Sequence, residues 1–161
     1  MTDSTAEPER LADVPLELER PLSIAGTESV ELSPSTLEAL PRRERRIEVA
    51  CLSGSRTSHV WCGAAIDDVL ERAPIPDRTT HVLVESTDGY RVCVDVETAL
   101  RGLLAFARDG DPLPDVADHE TRFVTADVDG PRTVKDVARL EAATLSPGED
   151  PESYEELLLA E

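Results

Sequence analysis

The spacing of apolar and polar residues along the chain predicts several short strands. Within residues 47–52 two sets of side chains alternate, which is the two-residue period of a strand whose faces meet different surroundings. An apolar run at 81–86, a Thr-Asp-Gly turn signal and a second alternating run together predict a hairpin over 81–95. Further extended segments are expected at 16–26, 30–32 and 122–125.

Two short helices are predicted in the first half of the chain. The first has Ser33 as its cap and Pro34 at its first position, and Pro41 stops it. The second follows a polar loop after the 47–52 strand and the tripeptide Trp-Cys-Gly at 61–63. Its apolar face, with residues spaced three and four apart, consists of Ile66, Val69, Leu70 and Ala73.

A third helix is predicted between Asp95, as its cap, and Gly110, and a last ordered segment at 132–142. Because strands and helices are interspersed without a regular βαβ repeat, the expected class is α+β, with mixed sheets and short helices. The apolar stripe of the third helix is expected to be Val96, Leu100, Leu103, Leu104 and Ala107.

The distribution of polar residues divides the chain into three parts. Residues 1–15 read as a disordered leader, residues 16–143 as one domain, and residues 144–161 as an acidic tail that can hold one helical segment at 154–159.

The charge of the chain narrows the classes of partner. With 34 acidic and 16 basic residues the net charge is -18, which argues against nucleic acid and anionic membranes as partners. This acidity, with 3% aromatic residues, indicates a halophilic protein from a cytoplasm of high salt concentration. The alternative is an ordinary acidic protein. The chain has no apolar run of roughly 18 residues and no secretory signal pattern, so it is predicted to be cytoplasmic.

The cysteines and histidines allow several interpretations. Cys51, His59 and Cys62 could belong to a zinc site only if His81 or Cys93 completed it. Reduced, buried thiols are the favoured interpretation of Cys62 and Cys93.

Two further patterns leave alternatives open. Cys51 could form a catalytic pair with His81 or His119, although the sequence has no GxSxG, Walker, HExxH or GxGxxG motif. The only basic cluster is either a solvated strand entry paired with acids or an anion contact. It consists of Arg42, Arg43, Arg45 and Arg46.

A series of short motifs, in order and over about residues 16–143, points to one family. The motifs are Val49-Ala50-Cys51, Ser53-Gly54, Trp61-x-Gly63, Val69-Leu70, Glu85-Ser86-x-Asp88-Gly89-Tyr90, Gly110-Asp111-Pro112-Leu113-Pro114, Arg122 and Gly130-x-x-Thr133-Val134-Lys135. Together they resemble the oxidoreductase molybdopterin-binding domain of the sulfite oxidase family, in a truncated and partly degenerate form.

The resemblance implies roles for six residues, and the position of a seventh suggests another. Cys51 would bind molybdenum through its thiolate. Arg56 lies close to Cys51 in the sequence and could help to bind an anionic substrate. Lys135 is the only lysine in a chain with fifteen arginines, which suggests a position that requires an ammonium group. The residues implied to contact the molybdopterin are Ser86, Arg122, Thr133, Val134 and Lys135.

The chain also departs from the family pattern. Ala117 stands where the family has a polar residue facing the pterin, and His119 lies close by but out of register. Asp118 and Glu120 add negative charge near the expected phosphate. From the resemblance, the family's N-terminal cofactor-binding segment and its C-terminal dimerisation domain are expected to be missing from this sequence.

Three functions remain as hypotheses. The first is a molybdenum-dependent oxidoreductase that transfers an oxygen atom to or from a small oxyanion or sulfoxide-type substrate and uses an unidentified redox partner. The second is a degenerate, cofactor-free interaction module of the same fold. The third is an unrelated α+β binding protein with core cysteines.

Overall fold

The computed structural model describes residues 18–50, 54–126, 128 and 130–156, and shows two sheets joined by short helices. The predicted α+β class is confirmed. Among the described residues, no helix is long and apolar enough to cross a membrane. The strands are β1 Leu22–Ala25, β2 Ser29–Leu32, β3 Arg42–Ala50, β4 Arg56–Ala65, β5 His81–Ser86, β6 Arg91–Asp95, β7 Leu103–Arg108, β8 Asp111–Pro112, β9 Arg122–Val124 and β10 Val137–Ala143.

The first sheet has the strand order β2-β1-β10-β5-β6. Strands β1 and β10 are parallel, whereas the other pairs of this sheet are antiparallel. The predicted hairpin at 81–95 is formed by β5 and β6, and its turn carries Gly89 at a φ of 94°. The hairpin therefore forms where the Thr-Asp-Gly signal predicts it.

The second sheet has the strand order β3-β4-β7-β8, and β9 pairs with β7. Strand β3 follows the predicted alternation, because Ile47 and Val49 are buried and Glu48 is exposed. Strand β4 includes most of the segment expected as a polar loop, and its first three residues are exposed. Because these three residues pair with β3, the strand begins in a region whose polar side chains do not predict a strand.

Among the described residues four short helices connect the strands, and two of them begin at the caps that the sequence predicts. The Ser33 hydroxyl accepts from the backbone N–H of Thr36, and Asp95 accepts from two backbone N–H groups at the next helix start. The helices are α1 Pro34–Ala39, α2 Ile66–Leu70, α3 Val96–Leu100 and α4 Leu113–Val116, and two 3-10 turns cover Gly130–Arg132 and Pro151–Tyr154.

The predicted continuation of the third helix to Gly110 is wrong. Helix α3 ends at Leu100, and the apolar residues after Gly102 form β7 instead. Strand β7 pairs with both β4 and β9 and is buried on both faces, so it lacks the alternation that marks a half-buried strand. A continuously apolar run of this length fits a buried strand as well as a helix.

Strands β4 and β7 approach each other most closely at Gly63. The pairing register shifts between Cys62 and Gly63, as at a β-bulge. A Cβ atom at Gly63 would overlap the carbonyl oxygen of Leu104 and lie 2.6 Å from the Cα of Ala105. The close approach of the two backbones thus requires glycine in the Trp-x-Gly motif.

Candidate functional site

Ser86 lies at the end of β5, where the predicted cofactor-contacting residues begin. Its backbone N–H donates to the carbonyl of Tyr90 at 2.8 Å, and its hydroxyl donates to the carboxylate of Asp88. The next N–H, of Thr87, donates at 3.1 Å to the carbonyl of Asp136. The turn that carries Ser86 is therefore joined directly to the segment that carries Lys135.

Arg122 and Thr133 hold the other side of this region together. The Arg122 side chain donates from Nη2 to Oγ1 of Thr133 at 2.7 Å and from Nε to its carbonyl at 3.1 Å. The Thr133 hydroxyl in turn donates to the carbonyl of Gly130 at 2.6 Å. Val134 is buried in the core, and its carbonyl accepts from the N–H of Phe123 at 2.8 Å. The side chain of Val134 thus belongs to the core, and its carbonyl is hydrogen-bonded within the protein.

Lys135 is exposed and lies at a small depression of about 190 Å³. The structure thus brings Ser86 and Lys135 together, although the two are far apart in the sequence. An isolated bridge pairs Lys135 with Arg122. The depression is lined by Ser86, Thr87, Asp88, Asp118, His119, Lys135 and Asp136.

His119 is a site residue whose role the sequence pattern does not assign. Its side chain is 4% exposed, and its Nδ1 lies 3.0 Å from the Asp118 carboxylate. Burial lowers the pKa of His119, and the charges of Arg122 and Lys135 lower it further, against the raising effect of Asp118. The neutral ring donates from Nδ1 to Asp118, so Nε2 is a buried acceptor, and it has no hydrogen-bond partner.

Ala117 and His119 both lie at a cleft next to the small depression. Ala117 packs against the apolar cluster of the second sheet and lines this cleft of about 630 Å³, and His119 lines both the cleft and the depression. The cleft is also acidic, with Asp115 and Glu120 among its lining residues. Ala117 offers no polar side-chain group to this cleft, whereas His119, two residues later, does.

Trp61 provides a second buried polar group next to Arg122. The ring lies under the guanidinium groups of Arg108 and Arg122, at 5.9 and 5.8 Å from its centroid, and its Nε1 is buried without a hydrogen-bond partner. His59 meets the ring edge-on, and its Nδ1 lies 2.6 Å from the carboxylate of Asp109. An unsatisfied buried donor and an unsatisfied buried acceptor therefore both lie in the neighbourhood of Arg122.

Cys51 and Arg56 are the two residues that the sequence predicts to lie nearest to a bound molybdenum. Cys51 lies outside the described residues, so its role stays a prediction. Strand β3 ends one residue before it, at Ala50, which pairs with Arg56 of β4. The Arg56 guanidinium is 65% exposed and contacts Glu48 at 3.1 Å, a surface ion pair that contributes little stability.

The other two cysteines are buried thiols, as predicted. Burial and nearby Glu44 raise the pKa of Cys62, and burial with nearby Glu155 raises the pKa of Cys93 to about 11. Among residues 18–50, 54–126, 128 and 130–156, no three His, Cys, Asp or Glu side chains are grouped to bind a metal ion. The raised pKa values keep both described thiols protonated at neutral pH.

A model of the oxidoreductase molybdopterin binding domain family matches residues 13–149. The chain belongs to this family. This confirms the resemblance to the molybdopterin-binding domain of the sulfite oxidase family.

One protein is similar to this chain in sequence, and one solved structure is similar to it in fold. The chain is 31% identical over 85 residues to the uncharacterized oxidoreductase YuiH of Bacillus subtilis (strain 168), covering 51% of this chain and 43% of that protein. The crystal structure of the sulfane dehydrogenase SoxCD from Paracoccus pantotrophus has the same fold, with a TM-score of 0.72 and 17% identity over 83% of this chain and 41% of that one. The chain thus spans less than half the length of these relatives.

The residues present fit a bound pterin cofactor. The His119 acceptor is buried without a partner at the depression, and leaving such a group unpaired typically costs about 1–3 kcal/mol. A flat ligand rich in N–H groups would satisfy this acceptor. Lys135 and Ser86 add an ammonium and a hydroxyl at the same depression, and the guanidinium of Arg122 lies close enough to His119 to lower its pKa.

We expect the imidazole of His119 to titrate below its ordinary pKa of about 6.5. Because the unfolded chain then binds this proton more readily, His119 lowers the free energy of unfolding as the pH falls below about 6.5. Asp118→Asn should lower the pKa further, since Asp118 raises it through a hydrogen bond and its charge. Histidine chemical shifts across pH, assigned with His119→Gln, measure this; an Asp118→Asn pKa above that of the unchanged protein would contradict it.

Proposed function

We propose that this protein is a molybdopterin-dependent oxidoreductase in which Cys51 binds molybdenum and the region around Lys135 binds the pterin. The observation that supports this most is the buried, unpartnered Nε2 of His119 next to Lys135 and Ser86, in a chain of the molybdopterin-binding family. When bound, the cofactor would supply the redox change and exchange an oxygen atom with a small oxyanion or sulfoxide-type substrate.

The protein's own residues would bind and orient the cofactor. The ammonium of Lys135 would attract the phosphate, and Nε2 of His119 would accept an N–H of the pterin. Arg122 would act mainly through Thr133, whose backbone and hydroxyl it fixes. Backbone groups of Thr133 and Val134 would complete the contacts, as the family resemblance implies.

Arg56 would serve the substrate rather than the pterin. It pairs across the hairpin with Ala50, next to Cys51 in the chain, and its guanidinium is exposed. A guanidinium can bind an oxyanion through two parallel hydrogen bonds. The pair with Glu48 is weak enough for an anion to displace it.

The second candidate is a cofactor-free interaction module. Three carboxylates, of Asp88, Asp118 and Asp136, line the small depression together with Lys135. Negative charge at this place opposes a phosphate group and favours a basic partner. The net charge of -18 is consistent with either function in a highly salted cytoplasm.

The content of molybdenum and pterin in purified protein decides between the two candidates. We expect near-stoichiometric amounts of both in protein made in a host with molybdenum cofactor and purified at high salt. Lys135→Gln should lower the pterin content about tenfold or more, as expected for the loss of about 1.4 kcal/mol or more of a charge-assisted contact.

Arg139→Gln is the matched control for this loss of charge. Arg139 is also a partly exposed cation, 42% exposed and paired at 3.3 Å with Glu141, and it lies in β10 outside the depression. This variant should retain the cofactor. Pterin and molybdenum missing from the unchanged protein would refute the oxidoreductase and leave the interaction module.

A further inference from the structure

Residues 151–156, which follow the family match, pack against the edge strand β6. They consist of the 3-10 turn Pro151–Tyr154 and the two glutamates after it. Arg91 and Glu156 exchange two backbone hydrogen bonds of 2.9 Å, and the Arg91 Nε donates to the carbonyl of Tyr154 at 2.9 Å. Tyr154 also packs on the cluster formed by Leu83, Cys93 and Leu145. We call residues 151–156 the C-terminal strap.

Glu155 directs its carboxylate from this strap into the protein. The side chain is 4% exposed. Its Oε1 accepts from Nη2 of Arg132 at 2.7 Å, and its Oε2 accepts from Nε of Arg132 at 3.0 Å, which makes a two-bond fork. Oε2 also accepts from the backbone N–H of Cys93 at 3.0 Å.

One carboxylate therefore bonds to two distant parts of the chain. Cys93 lies in β6, the second strand of the hairpin whose turn begins at Ser86. Arg132 is the residue directly before Thr133-Val134-Lys135. The strap thus joins the β5–β6 hairpin to the segment around Arg132. The hydrogen bond from Thr87 to Asp136 joins the same two parts of the chain at the depression.

We propose that Glu155 is a positioning residue for the cofactor site: through Arg132 it fixes the Thr133-Val134-Lys135 segment against the hairpin that carries Ser86. The proposal rests on the proposed function for its link to a cofactor. The strap lies beyond residue 149, where the family match ends.

Amide hydrogen exchange in the cofactor-free protein tests whether Glu155 fixes the Thr133-Val134-Lys135 segment against the hairpin. Glu155→Gln keeps the size of the side chain and removes its charge, and it should speed exchange at the Cys93 and Thr133 amides about tenfold or more. Glu152→Gln is the matched control, because Glu152 contacts the same Arg132 at 3.7 Å from the same strap but is 73% exposed. Its exchange rates should stay within about twofold of the original.

A double-mutant cycle separates positioning from general stabilisation. If Glu155 acts through Arg132, then Arg132→Gln alone should speed Thr133 exchange, and adding Glu155→Gln should change it little further. Additive effects, or an unchanged exchange rate of the Thr133 amide in Glu155→Gln, would overturn the proposal.

If Glu155→Gln does not fold, amide exchange of the original protein in rising denaturant tests the same proposal. There the Cys93 and Thr133 amides must exchange through one common opening, and separate openings would overturn the proposal.

A second measurement links the strap to the cofactor. The pterin content of purified Glu155→Gln should be about tenfold lower than that of purified Glu152→Gln, because the segment that binds the pterin is less often in its binding position. Full retention despite fast exchange would overturn the link. Absence of pterin from the unchanged protein would refute the proposed function, whereas the exchange result would still decide whether Glu155 fixes the segment.

Discussion

Replacing Cys51 with serine is expected to remove molybdenum from the purified protein while leaving the fold intact. A serine hydroxyl is a harder ligand than a thiolate and is not ionised at neutral pH, so it cannot take the place of the soft sulfur. The molybdenum content should fall by more than the roughly 10- to 100-fold that loss of a supporting residue around a metal site costs. Elemental analysis of the two proteins, purified side by side, measures the change.

The matched control for this experiment is Cys62→Ala. Cys62 is a buried thiol in β4, outside the depression and the C-terminal strap, so its loss affects packing and not the metal. It should retain molybdenum at the level of the original protein. Circular dichroism must show the same strand content in all three proteins. A Cys51→Ser protein that keeps both its fold and its molybdenum would rule out Cys51 as the ligand.

Replacing Gly63 with alanine is expected to lower the stability of the protein strongly, and more than the same replacement at Gly89. The new Cβ would overlap the Leu104 carbonyl and the Ala105 backbone, which cannot move without separating β4 from β7. We expect the free energy of unfolding to fall by about 3 kcal/mol, the upper part of the range for overpacking a core. Denaturant unfolding measures it as a lower midpoint with an unchanged slope.

Gly89→Ala is the control that separates a clash from backbone strain. Gly89 has a φ of 94° and no atom within 4 Å of an added Cβ, so alanine there meets strain alone. A left-handed alanine costs about 1–2 kcal/mol. If Gly63→Ala destabilised the protein no more than Gly89→Ala, the close approach of β4 and β7 would be wrong.

The elements that the sequence predicts well are those set by neighbours along the chain. The Ser33 and Asp95 caps each accept from backbone N–H groups two or three residues away, so their signal is complete within one turn. The β5–β6 hairpin depends on a short turn between two apolar runs. The order of short motifs likewise sufficed to predict the family.

The elements that the sequence predicts poorly depend on distant partners. Residues 103–108 carry the spacing of a helical stripe, and they form a strand because β4 and β9 cover their edges. The alternation rule fails there because both faces of β7 are buried. The polar start of β4 is a strand only because β3 pairs with it along its whole length.

The sequence by itself determined the α+β class, the family and the segments that carry Ser86, Arg122 and Lys135, since these follow from local periodicity, caps and motif order. Only the tertiary structure decided that His119, rather than residue 117, offers a buried acceptor beside Lys135, and that Glu155 bonds to Arg132. The physical reason is that burial and hydrogen-bond partners arise where distant segments meet. A one-dimensional pattern records which residues are polar, and the packed chain determines which of them face the site.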